Sequence, residues 1–593
     1  MDTTRQTFHK PRGFRDVLFA EAARREELSA RVGAYFADAG YELAETPSVE
    51  YLETLRRGTG SSDLELGDAF RFVDVDGRLL TLRSDVTIPL ARVVASRFSL
   101  MPAPYRLRYR ADVFQEQESL RGSERQFTQL GVECFGLPQD VGDSEVLLLA
   151  LGGLRAAGLE DFALHLSDVG VVKALLDGAG QSDIWCVSFN SAWYSGDFIR
   201  AAEIARESAL SPALKTALVR LLGLRGGADA LDEAGALLAS CPAAIRALAG
   251  IRADYQTLAD QGFKHQVKID FSLIPTFGYY SGMVFELYAP CADGASLVLG
   301  SGGRYDSLMR QFGRELPAAG FAYDLAHLAR LAPGPALDTQ DHVQTSQVKA
   351  SGMAEAVSGP LPVSDSDKQS NAEMRRLARS GAPLRIAVPK GKLYADSIAL
   401  LERAGVTVAG LDDPGRSLRL QNDRFDIIIA KPSDVAIYVS RGAADAGIGG
   451  RDILVEADFP LLQLCDLRFG ACEFVVAAPD TCAMTLDEMS LESGAVRVAT
   501  KYPRLTQRFF DSRGIPVEIV KLNGNIELGP LIGISDVIVD ITQTGTTLRE
   551  NNLIVLERVL PSTARFVANA ASARTDERVA ALATRLSELV GTE

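Results

Sequence analysis

The stretch "SDVIVDITQTGTTLRENNL", residues 535–553, decides how the C-terminal third of the chain is read. A run of β-branched residues ends at Asp540, a loop of Thr, Gln and Gly covers 542–547, and a helix is expected from near Thr547. A strand that turns through glycine into a helix leaves backbone N–H groups unpaired, and such groups hold an oxyanion. Thr542, Thr544, Thr546 and Thr547 add hydroxyl donors, while Gly545 allows close approach of the backbone to a phosphate. Asp540, at the strand end, is placed to accept from sugar hydroxyls. Taken alone, the loop fits a Thr-capped helix after a buried strand equally well.

Working outward, apolar runs at 384–388, 425–430, 444–450, 474–479, 496–500, 516–522 and 534–541 read as strands. Helices are expected at 397–404, closed by Gly405, at 432–441, opened by Pro432 and closed by Gly442, and at 574–590. This alternation predicts an α/β module of two lobes with a cleft between them, one of 384–475 plus a C-terminal return, the other of 476–560. Ligands of such sheets bind at the ends of strands. The strand ends here carry Lys390 and Lys392 around Gly391, Lys431, Ser433 and Asp434, and Arg451 and Asp452. Two lysines at one turn suit a pyrophosphate; singly, each of these residues is as readily a solvated surface group.

Upstream the pattern changes. Helical stretches at 19–40, 144–158 and 212–248 sit among antiparallel-type strands such as "YRLRYRADVFQ" and "GMVFELYA", an α+β pattern with a helical insertion at about 170–260. Residues 333–383 are rich in Ser, Gln, Asp and Pro and contain no aromatic residue. Such a segment buries too little apolar surface to offset its ordering entropy, so a flexible linker is expected, with a short helix at 372–379. The linker divides the chain into domains 1–332 and 384–593.

Composition excludes several classes. The 593 residues are 47% hydrophobic and 23% charged, enough for about three to five domains. A net charge of −15 argues against nucleic acid as a partner. Seven scattered cysteines without a CxxC, and five dispersed histidines, give no metal-ligand spacing and suit a reducing compartment. No apolar run reaches the ~20 residues of a membrane span, and residues 1–15 lack a signal-peptide core, so a cytoplasmic protein is expected.

Several ordered blocks then carry a resemblance. "KGKL", "DPGRSL", "KPSDVAIYVSRGAADAGIGGRDIL", "ATKYPRLTQRFF", "NIELGPLIGISDVIVDITQTGTTLRENNL" and "ARFVANAAS" make the chain from about 384 onward similar to the short form of ATP phosphoribosyltransferase. The resemblance implies a two-lobed, periplasmic-binding-protein-like fold that joins ATP to phosphoribosyl pyrophosphate (PRPP) with Mg²⁺. It implies that the loop at 544–547 holds the 5-phosphate, that Asp540 meets the ribose, and that Lys390, Lys392 and Arg416 act on the pyrophosphate and ATP. Glu527, in the "NIELG" block, joins Lys431, Ser433, Asp434, Arg451 and Asp452 as a further cleft residue. Many relatives have Arg where this chain has Lys392, which keeps the charge and loses the bidentate fork. A single acid, Asp540 before Ile541, also separates it from salvage-type phosphoribosyltransferases.

The upstream blocks "RGFRDVLFAEA", "TLRSDVTIPLAR", "RGSERQFTQLGVECFG", "FGYYSGMVFE" and "LGSGGRYDSLMRQFG" resemble the catalytic core of histidyl-tRNA synthetase over about 8–330. Three departures count against tRNA charging: Gln115, Pro275 and His327 stand where the synthetase has ATP-binding or catalytic arginines. What remains is a histidine pocket of Asp85, Gln129, Glu133, Tyr279 and Tyr280, like that of the synthetase-like regulatory subunit of the short transferase. The competing reading pairs those buried acids with Arg83 or Arg125. The expected protein is a regulatory–catalytic fusion, inhibited by histidine and assembled as a homo-oligomer, a tetramer by analogy. The alternatives are a histidine sensor with a decayed transferase, and a synthetase.

Overall fold

The structure, a computed structural model, describes residues 10–59, 69–98, 100–116, 124–273, 278–291, 296–333, 382–543 and 545–591. Almost all of the expected linker, with its short helix, lies outside these residues, as do Pro275 and Thr544. The chain divides into two compact units, one of residues 1–187 and 204–379, the other of 188–203 and 380–593.

The first unit is built on a nine-stranded sheet whose central strands are antiparallel. Tyr105–Phe114 pairs with Gln126–Phe135, which pairs with Ala318–Asp324, followed by Ser296–Arg304, Met283–Pro290 and Ala163–Asp168. Alternating side chains of Tyr105, Leu107, Tyr109 and Val113 are buried on one face, the period-2 pattern that makes this run a strand. Helices Phe19–Asp38, Gln139–Ala156 and Pro242–Leu258 pack with this sheet. The helix expected at 212–248 is in fact three: Pro212–Leu221, Ala228–Leu237 and Pro242–Leu258. Its continuity fails for two physical reasons. Gly226, with φ +159, carries a two-residue strand paired to Ile269, and Pro242 has no N–H to extend a helix, so it starts a new one.

In the second unit each of the seven expected strands lies within a few residues of an observed one, while Arg419–Gln421, Leu461–Asp466, Leu553–Ser562 and Ala564–Asn569 are strands that the sequence reading did not pick out. A six-stranded sheet contains the parallel strands Phe425–Ala430, Leu384–Pro389 and Ala446–Gly450, then Ala564–Asn569 and, at its edge, Leu461–Asp466. A five-stranded sheet runs Val517–Lys521, Val496–Thr500, Val537–Thr542, Cys472–Pro479, Leu553–Ser562, its first three strands parallel. The parallel strands are near-continuous apolar runs because both faces are covered: Val537, Ile538 and Val539 are all fully buried. At about 1.5–3 kcal/mol per buried aliphatic side chain, these strands supply much of the lobe's cohesion. The last helical stretch is broken, into Ala570–Thr575 and Glu577–Gly591.

The chain crosses between the two sheets twice, after Asp466 and after Ser562. The crossings are tied together. Leu467 N–H donates to Ala564 O (2.9 Å), Ala564 N–H to Phe469 O (2.9 Å), and Thr563 Oγ1 to Asp466 (2.8 Å). Residues 188–203, the end of helix Asp183–Tyr194, a turn and most of helix Phe198–Glu207, complete this unit.

Candidate active site and ligand pocket

In the six-stranded sheet, Pro389 lies opposite Ala430 in parallel register. Lys390 and Lys431, the next residues, therefore leave neighbouring strand ends side by side, and Lys390 N–H donates to Ala430 O (2.7 Å). Arg416 precedes the short strand Arg419–Gln421, where Leu418 O accepts from Ile429 N–H (2.8 Å), so it approaches the same sheet end. Lys392 follows Gly391, whose φ of +90 turns the chain into helix Tyr394–Arg403. These four cations are exposed. Arginines around them are paired, Arg385 with Asp445 (2.7 Å) and Arg419 with Asp426 (2.6 Å), whereas Lys390, Lys392, Lys431 and Arg416 have no ion-pair partner among the described residues. Ser433 Oγ donates to Asp434 (3.0 Å) in the first turn of helix Pro432–Ser440.

In the five-stranded sheet, strand Val537–Thr542 delivers Asp540 and then the Thr/Gly loop. Thr542 Oγ1 accepts from Gly545 N–H (3.0 Å), closing the loop on itself, and Gly545 has φ +71, a conformation that disfavours any side chain. The helix that follows is only Thr546–Glu550. A helix this short has little macrodipole, so its N-terminus by itself is a weak anion site. Burial raises the Asp540 carboxyl above the usual range; the Glu527 charge raises it further, while Ile541 N–H and Lys501 oppose the rise.

Sequence reading missed three residues here. Thr500 lies opposite Val539, so Lys501 follows its strand beside Asp540. Buried Tyr502 is within charge range of Asp540, Asp452 and Cys472, and Cys472 in turn of Lys392. Groups of both lobes thus share one neighbourhood. The only signal for them was their place in the "ATKYP" block and at the head of a strand.

Arg451 and Asp452 are placed differently from the other cleft candidates. Arg451, its side chain 11% exposed, faces Asp197 (3.7 Å) and donates to Pro561 O (3.3 Å), and partial burial lowers its pKa. Asp452 is 9% exposed and accepts from Ser562 Oγ (3.0 Å), at the second crossing. Both sit at the joint between lobes.

In the first unit, buried Asp85, Glu133 and Tyr279 and half-buried Tyr280 cluster together, with Gln129 on the strand of Glu133. Glu133 accepts from Thr87 Oγ1 (2.7 Å), Tyr109 OH (3.4 Å) and Tyr305 OH. Burial pushes it up to about 8, the hydroxyl donors oppose this, and Asp85 adds repulsion. Asp85 accepts from Ile88 N–H (2.9 Å) at the start of helix Thr87–Arg97, and burial pushes it up to about 6. Tyr279 stacks edge-on to Tyr305 (5.7 Å) and tilts against Tyr280 (5.1 Å). Among the described residues the buried Gln129 Oε1 has no hydrogen-bond partner. Gly320 lies opposite Glu133, and a Cβ there would run into Val132 O and the Glu133 carboxylate. The arginines offered as alternative partners are occupied elsewhere: Arg83 donates to Asp112 O (2.7 Å) and Thr46 O (2.6 Å), Arg125 to Glu116 (3.0 Å). Thr87, Tyr109 and Tyr305 are pocket residues that the sequence did not single out.

Gln115 is half-buried, its N–H donating to Arg125 O (3.0 Å), and His327 Nδ1 lies 2.7 Å from Val298 O. Among the described residues no cluster of three His, Cys, Asp or Glu could bind a metal by itself.

Exposed cations without an ion-pair partner among the described residues, and a Thr/Gly loop, both at the ends of parallel strands, define a two-lobed α/β transferase of phosphorylated substrates, carried on one chain with a synthetase-like α+β unit. The histidyl-tRNA synthetase family matches residues 13–328, and the ATP phosphoribosyltransferase family matches 431–588. Two proteins of Moorella thermoacetica match the two parts separately. Its ATP phosphoribosyltransferase regulatory subunit is 37% identical over 318 residues, 54% of this chain and 80% of its own length; its ATP phosphoribosyltransferase is 47% identical over 201 residues, 33% of this chain and 87% of its own. A solved ATP phosphoribosyltransferase regulatory subunit/histidyl-tRNA synthetase from Bacillus halodurans superimposes with TM-score 0.51 at 26% identity, covering 72% of this chain and 100% of that one. The chain belongs to the histidyl-tRNA synthetase family through its N-terminal half and to the ATP phosphoribosyltransferase family through its C-terminal third.

Proposed function

We propose that this protein is an ATP phosphoribosyltransferase that carries its own regulatory domain, with the domains bounded at 1–332 and 384–593. N1 of ATP attacks C1 of PRPP with inversion; the C1–O bond breaks and pyrophosphate leaves with the electron pair. The product is N1-(5-phosphoribosyl)-ATP, the first intermediate of histidine biosynthesis. Charge develops on a sugar cation and a polyanionic leaving group, so the work of the protein is positioning and electrostatic stabilisation, with no nucleophile of its own.

The observation that carries this reading is the set of exposed cations, Lys390, Lys392, Lys431 and Arg416, without an ion-pair partner among the described residues, at the strand ends of one lobe, with the Thr542–Gly545 loop closure and Asp540 in the other. In this assignment the loop N–H groups and the hydroxyls of Thr542, Thr544, Thr546 and Thr547 hold the 5-phosphate, and Asp540 accepts from ribose hydroxyls. Lys390, Lys392 and Arg416 neutralise pyrophosphate and the ATP phosphates, with Lys431, Ser433 and Asp434 lining the cleft. Asp540 and Glu527 would hold Mg²⁺ brought in with the substrates, which supplies further neutralisation of the leaving group.

In the first unit we assign Asp85, Gln129, Glu133, Tyr279 and Tyr280 to free histidine as feedback inhibitor. The α-ammonium or imidazole N–H donates to Glu133 or Asp85, and Gln129 Oε1 gains the donor it lacks. No described helix is long and apolar enough to cross a membrane. A cytoplasmic homo-oligomer, a tetramer, is the proposed setting. The test is PRPP-dependent formation of the ATP adduct, followed by absorbance with and without histidine. Absence of turnover refutes the transferase; histidine-insensitive turnover refutes the regulation; histidine-driven ATP–pyrophosphate exchange would restore the synthetase.

A further inference from the structure

Residues 188–203 precede the transferase by almost two hundred positions in sequence, yet they form part of the same compact unit. The way they are held is specific. Leu461–Asp466 is the edge strand of the six-stranded sheet. Asp197 forms a parallel bridge with Gln463 on that edge, and Gln463 N–H donates to Gly196 O (3.0 Å). An otherwise open strand edge is thereby covered by a short piece of chain, the mode in which sheets take up an added strand. Gly196, with φ +72, is required for the approach, since a Cβ there would stand 2.8 Å from Leu461 O. Phe189 and Ala201 are fully buried and Trp193 is 3% exposed.

The carboxylate of Asp197 has two tasks. One oxygen accepts from Arg200 N–H (3.0 Å), opening helix Phe198–Glu207; the other faces Arg451 Nη2 at 3.7 Å. The pair is largely out of water, its side chains 13% and 11% exposed, so solvent screens it little. Glu203, Arg200 and Arg565 are the other charged groups that act on Arg451. Arg451 in turn belongs to the joint: its N–H donates to Thr563 O (3.0 Å) and its guanidinium to Pro561 O (3.3 Å). Next to it, Asp452 N–H donates to Ser562 Oγ (3.1 Å). Pro561 to Thr563 is where the chain passes between lobes, and lobe movement about such crossings governs turnover in cleft enzymes.

We propose that residues 188–203 are a strap on the hinge of the transferase, in which Asp197 holds Arg451 and so sets how freely the two lobes close. The strap is continuous in sequence with residues 187 and 204 of the other unit, so any change there that draws on these residues alters the hinge. This rests on the proposed histidine regulation, and it adds the residues through which control is delivered.

The test uses the full chain and two variants outside the substrate cleft. Asp197→Asn keeps an acceptor for Arg200 N–H and removes the charge opposite Arg451; Gly196→Val pushes the turn off the strand edge. For each, kcat, KM for PRPP and ATP, and the histidine inhibition curve are measured, with melting temperature as a check on folding. Both variants are expected to weaken inhibition by histidine about tenfold, the usual size of a coupling between sites, while KM for PRPP is retained. Wild-type inhibition and wild-type kcat in a folded Asp197→Asn variant would overturn the strap. Should the wild-type chain itself ignore histidine, the regulatory reading fails separately. The strap is then judged on kcat alone: a several-fold change in Asp197→Asn at unchanged KM supports it, and an unchanged kcat overturns it.

Discussion

Replacing Glu133 by Gln should stabilise the N-terminal unit increasingly as pH rises, although it alters the centre of the proposed ligand pocket. Glu133 is 1% exposed, and burial moves its carboxyl from the ordinary 4.5 up to about 8. The sign follows from linkage. An acid whose folded pKa is raised contributes stability fully below its unfolded value, and that contribution is lost as pH rises through the folded value. Each pH unit crossed between 4.5 and about 8 removes about 1.4 kcal/mol, so the loss is about 3 kcal/mol at pH 7 and about 5 kcal/mol once Glu133 is fully ionised. Gln does not titrate. It still accepts from Thr87 Oγ1, and its altered contact with Tyr305 OH adds an offset of order 1 kcal/mol that does not depend on pH. The slope is therefore the readout. Urea unfolding of the full chain at pH 5, 6, 7 and 8 without histidine should show the variant gaining on wild type by about 1 kcal/mol per pH unit. Asp85, pushed up to about 6, titrates in both proteins and cancels from the difference. A wild-type-to-variant difference that stays flat from pH 5 to 8 would refute burial as the force acting on Glu133.

Other outcomes follow from the same geometry. Asp540→Asn should lower kcat/KM for PRPP by about 10- to 100-fold, the worth of a hydrogen bond to a charged acceptor, with the melting temperature held, as measured by the adduct assay. Gly545→Ala places a side chain at φ +71, a cost of about 1–2 kcal/mol that should appear as a roughly tenfold higher KM for PRPP rather than as global unfolding. Gly320→Ala overpacks the pocket against Glu133 and should destabilise the N-terminal unit by about 1–3 kcal/mol and abolish histidine binding by calorimetry. Lys390→Ala should raise KM for both substrates, and added salt should weaken PRPP binding less in this variant than in wild type, because one cation is missing from the site.

Much of the catalytic lobe was legible because its signals are local. Buried β-branched runs such as 425–430 and 537–542, glycines with positive φ at 405, 442 and 545, and Pro432 at a helix start each fix structure within a few residues. The candidate site was legible to the extent that it sits at or just past the ends of those strands, where Lys390, Lys431 and Asp540 stand. Lys501 and Tyr502 escaped because nothing in their own neighbourhood marks them; they matter through register with Asp540. The helix at 212–248 was overread because Gly226 and Pro242 looked tolerable in a long periodic stretch, whereas pairing of Gly226 with Ile269 depends on a strand some forty residues away.

By itself the sequence determined the two modules, their periodicities, the Thr/Gly loop and the family blocks, all of which depend on spacing along the chain. Only the tertiary structure decided which charges are paired. Arg451 and Lys431 look alike as cations after a strand, but Arg451 is largely shielded beside Asp197, more than 250 positions earlier, while Lys431 remains exposed with no ion-pair partner among the described residues. Likewise the resemblance grouped Glu133 with Asp85, but the burial that raises both carboxyls came only with the folded sheet. Burial and charge pairing act through space between segments distant in sequence, so local pattern cannot fix them.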